Sequence, residues 1–293
     1  MTILITGGKG QVGQCFRQVA ARYPDWHFSL VDLDEIDITD RKAVFRLFRS
    51  YGKNDLKWCI NCAAYTAVDK AESEPEKARR INVAGAKNLA DACAGHGAGI
   101  IHLSTDYVYH NRQNTPFQED DPVSPKSVYA RTKLAGDRAV LASGATSMVI
   151  RTSWVYSAFG NNFVKTMLRL GAERPELKVV FDQIGTPTYA PDLAEAILQI
   201  IQKVENGDIA AGLLPGVWHY SNEGVTSWYD FAKAIFEMRD LPCRVFPIET
   251  KDFPTPALRP PFSVLNKGKI KAAFGLDIPH WRESLARCLT ELH

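Results

Sequence analysis

The residues with the clearest capacity for chemistry are Tyr129 and Lys133, which stand four positions apart. On a helix this spacing places a phenol and an ammonium on one face, one turn from each other. A free phenol has a pKa of about 10, and a nearby ammonium lowers that pKa because it stabilises the phenolate. The pair is therefore a candidate for proton transfer near neutrality, and a surface pair on an amphipathic helix is the alternative.

A hydroxyl-rich segment lies some 25 residues before this pair. Thr105 follows the apolar run 100–104, which predicts a strand with the Thr105 hydroxyl at its carboxyl end. Ligands bind at that edge of open α/β sheets, and a hydroxyl there can hydrogen-bond a carbonyl oxygen and polarise it. Together with a glycine-rich turn near residue 10, these groups predict a nicotinamide-dependent carbonyl reductase. In it Tyr129 gives the proton, Lys133 holds the nicotinamide ribose and Thr105 orients the carbonyl.

The glycine-rich turn follows the apolar run 2–6 and precedes a segment with helical periodicity. Gly7, Gly10 and Gly13 in this turn have the spacing G-x-x-G-x-x-G. In this context glycines let the backbone approach a pyrophosphate at the positive end of a helix. A plain strand-to-helix turn would also favour glycine, so the order of the following strands decides for dinucleotide binding.

The form of the cofactor depends on the residues after the second apolar run. Asp32 ends that run, where an acid can bind the adenosine ribose hydroxyls and repel a 2′-phosphate, which favours NADH. Lys9 and Arg17 are near in sequence and keep NADPH open. Asp37 and Ile38 are candidates for flanking the adenine.

The composition restricts the class of protein. The chain has 293 residues, is 45% hydrophobic and 23% charged, and carries a formal net charge of +2, which gives no electrostatic case for binding nucleic acid or an anionic membrane. No window has the length of a signal peptide or a membrane span. Cys59 and Cys62 form a C-x-x-C pair inside an apolar run, and no second such pair completes a zinc site. We expect a reduced, cytoplasmic protein without a metal.

Short apolar runs alternate with helical periodicity in the first half of the chain. This pattern predicts an α/β fold with a Rossmann-type doubly wound parallel sheet. After Trp154 the pattern loosens and prolines become frequent, which predicts a smaller, interleaved C-terminal substrate lobe. We place the NAD(P)-binding Rossmann domain at 1–153, with returning elements from about 185–222, and the mainly substrate-binding lobe at 154–293. The predicted strands are 2–6, 27–31, 58–63, 99–104, 147–151 and 216–221, and the predicted helices are 12–23, 41–51, 75–95 and 129–142.

Segments along the whole chain resemble the dTDP-4-dehydrorhamnose reductase family of extended short-chain dehydrogenases. They are 6–13, 61–72, 104–109, 129–136, 151–156, 160–163 and 254–260. The resemblance implies NAD(P)H-dependent reduction of the C4 keto group of dTDP-4-dehydro-L-rhamnose, in the synthesis of precursors for cell-surface polysaccharide.

The resemblance also implies roles for individual residues, with Tyr129 as the acid. Taken with the arguments from the residues above, the expected cofactor contacts are Gly7, Gly10, Gln11, Val12, Gly13, Asp32, Asp37, Ile38, Ala63, Ala64, Tyr65, Thr66, Leu103, Tyr129 and Lys133. The expected contacts with the dTDP-sugar are Thr105, Asp106, Tyr107, Trp154, Asn162 and Arg259.

The sequence departs from the family where some members dimerise around magnesium held by glutamates. One of those glutamates comes just after the glycine turn, where this chain has Gln14 and Cys15. Magnesium prefers oxygen ligands and a thiol binds it poorly, so magnesium is doubtful here. Asp192, Glu195 and Glu291 remain as acids elsewhere. A weak homodimer and contact with a 3,5-epimerase stay open as alternatives.

Three other functions share parts of this pattern. A sugar-nucleotide 4,6-dehydratase typically has an Asp-Glu pair after the threonine, whereas this chain has Asp106 and Tyr107. An epimerase of the same superfamily is disfavoured only by the whole-chain resemblance. A non-catalytic dinucleotide-binding regulatory subunit has no need to keep Thr105, Tyr129 and Lys133 together.

Overall fold

A computed structural model describes residues 1–52 and 55–292 of the chain. Its strands are β1 (Thr2–Thr6), β2 (His27–Val31), β3 (Leu56–Asn61), β4 (Gly99–Thr105), β5 (Ser147–Thr152), β6 (Val155–Tyr156), β7 (Glu176–Val180), β8 (Ile184–Gly185), β9 (Thr188–Tyr189), β10 (Gly216–His219), β11 (Thr226–Ser227) and β12 (Arg244–Ile248).

The helices of the same residues lie between these strands. They are α1 (Gln11–Val19), α2 (Arg41–Ser50), α3 (Val68–Ala71), α4 (Pro75–Arg79), α5 (Ala86–His96), α6 (Val128–Leu141), α7 (Phe163–Glu173), α8 (Ala190–Glu205), α9 (Trp228–Met238), α10 (Gly268–Phe274) and α11 (Trp281–Glu291). No described helix is both long enough and apolar enough to cross a membrane.

Six parallel strands form the central sheet, in the order β10-β5-β4-β3-β1-β2. The chain leaves β1 toward β2 on one side and then returns to place β3 on the other. Such a reversal opens a crevice at the carboxyl ends of the strands, where α/β proteins bind their ligands. The predicted Rossmann-type doubly wound parallel sheet is confirmed.

Helices cover both faces of this sheet because side chains along each strand alternate between the faces. On one face Ile3 and Ile5 of β1 share a buried cluster with α1, α8 and α10. On the other face Leu4 packs with α2 and α5. Both faces of the strands are therefore apolar, as a parallel sheet between two helical layers requires.

The second half of the chain is interleaved with the first. β10 extends the central sheet by pairing with β5, and α8 packs against α1. Helices α7, α9 and α11 build a separate cluster around Phe231, beside the small sheet of β7 and β12. Ile270 and Phe274 of α10 also join the first core, a return that the sequence pattern did not predict. The division at residue 153 stays a prediction.

Several predicted elements differ from the structure, among them the strand predicted at 216–221, which ends at His219, and the helix predicted at 12–23, which ends at Val19. The helix predicted at 75–95 is interrupted by a wide π turn, Arg80–Gly85, between α4 and α5. The strand predicted at 58–63 is Leu56–Asn61. It ends early because the Asn61 carboxamide bonds Thr6 at 2.8 Å and His102 at 2.9 Å, which ties the end of β3 to its neighbours. Cys59 is buried in this strand, and all six cysteines are free thiols.

Candidate active site

A cleft of about 1470 Å³ opens at the carboxyl ends of the parallel strands. It brings together nearly all the residues that the sequence predicted for cofactor and substrate. The predicted cofactor side is lined by Gly7, Gly10, Gln11, Val12, Gly13, Asp32, Asp37, Ile38, Ala63, Ala64, Thr66, Leu103, Tyr129 and Lys133, and the predicted substrate side is lined by Thr105, Asp106, Tyr107, Trp154, Asn162 and Arg259. Tyr65 lies apart from them: it is buried, and its hydroxyl donates to Glu74 at 2.9 Å.

The glycine turn forms a close-packed cradle at the start of α1. The Gly10 amide donates to the Gly7 carbonyl at 2.9 Å, and Gly7 has a φ of +69°, which favours glycine. A Cβ on Gly13 would lie 2.3 Å from the Gly7 oxygen. Gly10 is the N-cap of α1, and as a glycine it has no side chain to bond the first amides of the helix. These amides can therefore face an anion. These features fit a dinucleotide pyrophosphate.

The end of β2 carries a group of acids around one lysine. The Asp32 carboxylate accepts from the backbone amides of Lys9 at 2.7 Å and Leu33 at 2.8 Å. The Lys9 ammonium pairs with Asp34 and with Glu35. Since the carboxylates outnumber the ammonium, the local charge opposes a 2′-phosphate and favours the free ribose of NADH.

Helix α6 fixes the pair that could transfer a proton. Ser127 caps the helix by accepting from the Ala130 amide at 3.1 Å, and Glu72 accepts from the Val128 amide at 2.7 Å. The Lys133 ammonium, buried beneath the cleft, donates to the Leu103 carbonyl at 2.7 Å. The side chains of Tyr129 and Lys133 both reach the cleft from consecutive turns.

Burial dominates the protonation of both groups. It raises the pKa of Tyr129 to about 12, and the hydrogen bond with Thr105 opposes this shift. Burial lowers the pKa of Lys133 to about 8, while the Asp137 carboxylate raises it. The expected lowering of the Tyr129 pKa by the ammonium gives way to burial here, because the ammonium is directed to Leu103 and lies 3.4 Å from the His102 ring.

Thr105 and Asp106 form the polar floor beside Tyr129. The Thr105 hydroxyl donates to the Asp106 carboxylate and accepts from the Tyr107 amide, both at 3.2 Å. Burial raises the pKa of Asp106 to about 7, and the hydrogen bond from Thr105 opposes this shift. The second oxygen of Asp106 is buried and has no hydrogen-bond partner among the described residues. This floor can hold a polar ligand group.

Arg259 lies on the opposite wall and is already paired. Its guanidinium donates to Asp69 through two hydrogen bonds of 3.0 and 2.7 Å, and the Ala257 amide donates to the same carboxylate at 3.1 Å. The ring of Tyr107 meets Tyr129 edge-on, with 5.9 Å between centroids. Arg259 is therefore held in place at the cleft, with part of its hydrogen-bonding capacity engaged.

Asn162 connects the two sides of the cleft. Its side-chain oxygen accepts from the Lys165 amide at 3.2 Å and so caps α7. Its amide nitrogen donates to Gln11 at 2.8 Å, and Gln11 donates in turn to the Val155 carbonyl at 3.1 Å. The predicted substrate residue thus contacts the predicted pyrophosphate turn.

Sequence reasoning missed several residues that support the site. Asn82, in the π turn, accepts from the Tyr65 amide at 2.8 Å and donates to the Thr132 hydroxyl at 3.1 Å. Helical periodicity gives no signal for such a turn, although π turns are frequent at functional sites. Asp137 is buried one turn beyond Lys133, and that spacing could have identified it. Asp69 and Trp228 also line the cleft.

The acids considered for magnesium have other partners. Asp192 accepts from Arg287 at 2.7 Å, and Glu291 accepts from the Tyr189 hydroxyl at 2.6 Å. Glu195 accepts from Arg22 at 3.1 Å. Over residues 1–52 and 55–292, no group of three or more His, Cys, Asp or Glu side chains is arranged to hold a metal ion.

Comparison with known proteins agrees with this geometry. The family profile described as RmlD substrate binding domain matches residues 1–293. The dTDP-4-dehydrorhamnose reductase of Aggregatibacter actinomycetemcomitans is 40% identical, over 97% of this chain and 96% of that protein. The Escherichia coli K12 protein of the same name is 39% identical, over 100% of this chain and 98% of that one.

Solved structures show the same similarity. A dTDP-4-dehydrorhamnose reductase from Clostridium acetobutylicum superposes with a TM-score of 0.92 at 40% identity, covering 100% of this chain and 99% of that one. The Bacillus anthracis enzyme, solved in complex with NADP, gives 0.91 at 36% identity, covering 99% of each chain. With the profile, the relatives and these structures in agreement, the chain belongs to the dTDP-4-dehydrorhamnose reductase family.

Proposed function

We propose that this protein reduces the C4 keto group of dTDP-4-dehydro-L-rhamnose to give dTDP-L-rhamnose, with NADH or NADPH as the reductant. The observation that carries the proposal is the convergence of Tyr129, Lys133 and Thr105 with the glycine turn in one cleft. The relatives named above supply the identity of the sugar nucleotide. The product would serve cell-surface polysaccharide synthesis.

The residues of the cleft fit a dinucleotide because the glycine cradle admits a backbone-bound pyrophosphate. When bound, a reduced nicotinamide supplies hydride to the carbonyl carbon. The Thr105 hydroxyl then orients the carbonyl oxygen, and the Tyr129 hydroxyl donates its proton to that oxygen, which becomes the C4 hydroxyl. The raised pKa of Tyr129 keeps this proton in place until the oxygen gains charge. Lys133, held by the Leu103 carbonyl, can present its remaining N–H donors to the nicotinamide ribose.

The other roles predicted for the cleft follow the same division. We propose that the diphosphate and sugar of the substrate lie among Asp106, Tyr107, Trp154, Asn162 and Arg259. The returning segment 185–222 would then hold the substrate lobe against the Rossmann domain. A cytoplasmic location, and a weak homodimer or contact with a 3,5-epimerase, belong to this proposal as well.

Oxidation of NADH and of NADPH, followed by the nicotinamide absorbance, tests the proposal. The substrate is dTDP-4-dehydro-6-deoxyglucose, with and without the matching 3,5-epimerase. Oxidation that requires the epimerase is the expected result, and the two cofactors are ranked in the same experiment. Tyr129→Phe is the matched control, because it removes the proton donor and keeps the ring.

A contrary outcome has a defined form. Binding of NADH is measured by the quenching of tryptophan fluorescence. If the protein binds NADH but oxidises neither cofactor, the proposal is contradicted. A sugar-nucleotide reductase for another substrate or the non-catalytic regulatory subunit would then be the better interpretation. Oxidation without the epimerase would leave a reductase but exclude the epimerised sugar as the required substrate.

A further inference from the structure

Trp154 has a backbone conformation that bulky residues rarely adopt. Its φ is +48°, in the left-handed region, and it follows the last residues of β5 at the cleft. Such a conformation persists only where surrounding contacts impose it, and it is found most often at functional sites. Two hydrogen bonds to backbone carbonyls flank it. The Thr188 amide donates to the Trp154 carbonyl at 3.2 Å, and the Ser153 hydroxyl donates to the Thr186 carbonyl at 2.7 Å.

The indole of Trp154 is also held by its side-chain neighbours. It stacks on the indole of Trp228, with 3.6 Å between ring centroids and 10° between ring planes. Gly185 lies against the same indole, so closely that a Cβ on it would come within 2.7 Å of ring atoms. Phe163 packs in turn against Trp228, with 4.6 Å between their ring centroids. Trp154 therefore has little freedom to turn within the cleft.

Local folding explains why these neighbours meet. β8 and β11 form a two-stranded antiparallel sheet in which Gly185 pairs with Thr226. Ser227 then caps α9 by accepting from the Asp230 amide at 3.0 Å, which starts the helix at Trp228. The short sheet thus delivers both the glycine and the second indole to the same side chain.

We propose that Trp228 is a positioning residue for the substrate, which fixes the Trp154 indole as an apolar wall of the sugar site. This inference rests on the proposed function, since the wall suits a 6-deoxyhexose. The C–H groups and the methyl of such a sugar are apolar and pack on an indole surface, whereas a 6-hydroxyl there would lose hydrogen bonds to water. Gly185 is the second support of the wall, because only glycine leaves room for the ring.

Three variants test the inference. Trp228→Ala removes the stack, Gly185→Ala pushes the Trp154 ring aside, and Trp228→Phe keeps an aromatic support. We expect the first two to raise KM for the sugar nucleotide about 3–10-fold, the loss that corresponds to one aromatic pair, with kcat and the Kd of NADH nearly unchanged. Trp228→Phe should keep KM within about twofold of the original protein.

A second readout reports the stack directly and needs no substrate. Two stacked indoles whose transition dipoles are rotated relative to each other within the ring planes give an exciton couplet in the far-ultraviolet circular dichroism spectrum. Trp228→Ala and Trp228→Phe should both abolish the couplet, and Gly185→Ala should reduce it. Trp26→Phe is the control, because Trp26 stacks on Tyr23 outside the cleft. It should leave both the couplet and KM unchanged.

The outcomes separate cleanly. The inference is supported if Trp228→Ala loses the couplet and has a raised KM while Trp228→Phe keeps the original KM. A folded Trp228→Ala variant that loses the couplet and keeps the original KM overturns it. If Trp228→Ala does not fold, Gly185→Ala decides on the same two readouts. Absence of reductase activity in the original protein would instead contradict the proposed function, while the couplet would still report the stack.

Discussion

The two sides of the cleft are built in different ways. The cofactor side comes largely from short segments next to strand ends, such as the turn between β1 and α1, where four glycines within seven residues shape the backbone. The substrate side takes single residues from distant parts of the chain, such as Tyr107, Trp154, Trp228 and Arg259. Local motifs thus shape the part that we propose binds the dinucleotide, and long-range packing shapes the part that we propose selects the sugar.

The largest expected effect comes from the residue where the two sides meet. Tyr129→Phe removes the proton donor and should lower kcat roughly 10²–10⁴-fold, the usual range for a lost general acid. Binding of NADH should be nearly unchanged, because the ring and its packing against Tyr107 remain. Steady-state kinetics and an NADH titration measure the two quantities. Loss of NADH binding would show that Tyr129 serves the cofactor side as a structural residue.

A change confined to the substrate side should affect the sugar nucleotide alone. Arg259→Gln removes a charged donor and should raise KM by about 10–100-fold, the value of a hydrogen bond to a charged group. Arg259→Lys keeps the charge without the fork that pairs with Asp69, so it should recover only part of the loss. A KM unchanged in Arg259→Gln would remove Arg259 from the substrate site.

A change confined to the cofactor side should have the opposite selectivity. Gly13→Ala places a Cβ 2.3 Å from the Gly7 carbonyl, which forces the turn open. We expect a loss of about 1–3 kcal/mol in the free energy of unfolding, typical of overpacking, together with weaker NADH binding. Chemical denaturation and an NADH titration measure these effects. Gly95→Ala is the control, because a Cβ there meets no atom within 4 Å.

The smallest effect concerns pH. Burial lowers the pKa of Lys133 to about 8, so its ammonium loses a proton as the pH rises through that value. The charge that holds the ribose is then lost, and kcat should fall by at most about tenfold per pH unit above this pKa. Lys133→Arg, which stays charged, should show no fall in that range. A decline that persists in this variant would assign the titration to another group.

Stability should change with pH in the opposite direction through the same residue. The pKa of Lys133 is lower in the folded protein than in the unfolded chain. Between those two values the unfolded chain binds more protons, so the Lys133 contribution to stability increases as the pH rises through that interval. Activity falls and this contribution rises over the same range because one proton controls both.

Much of this architecture could be predicted from the sequence. The alternation of apolar runs and helical periodicity predicted the parallel sheet, and the motifs predicted that Gly10 and Thr105 lie where strands end and that Tyr129 lies on a helix. The π turn at Arg80–Gly85 could not be predicted, because its residues have the same periodic pattern as the helices beside it. The stack of Trp228 on Trp154 was equally hidden, since it depends on the pairing of β8 with β11, which joins Gly185 to Thr226, 41 residues away.

The sugar carbon that receives the hydride gives the most direct test of the central claim. The enzyme is supplied with NADH in which both hydrogens at C4 of the nicotinamide ring are deuterium, and with the epimerised 4-keto sugar nucleotide, and the product is examined by proton NMR. We expect dTDP-L-rhamnose with deuterium on C4 of the sugar, and no labelled product from Tyr129→Phe over the same time. Deuterium at another carbon, or an unlabelled product, would contradict it.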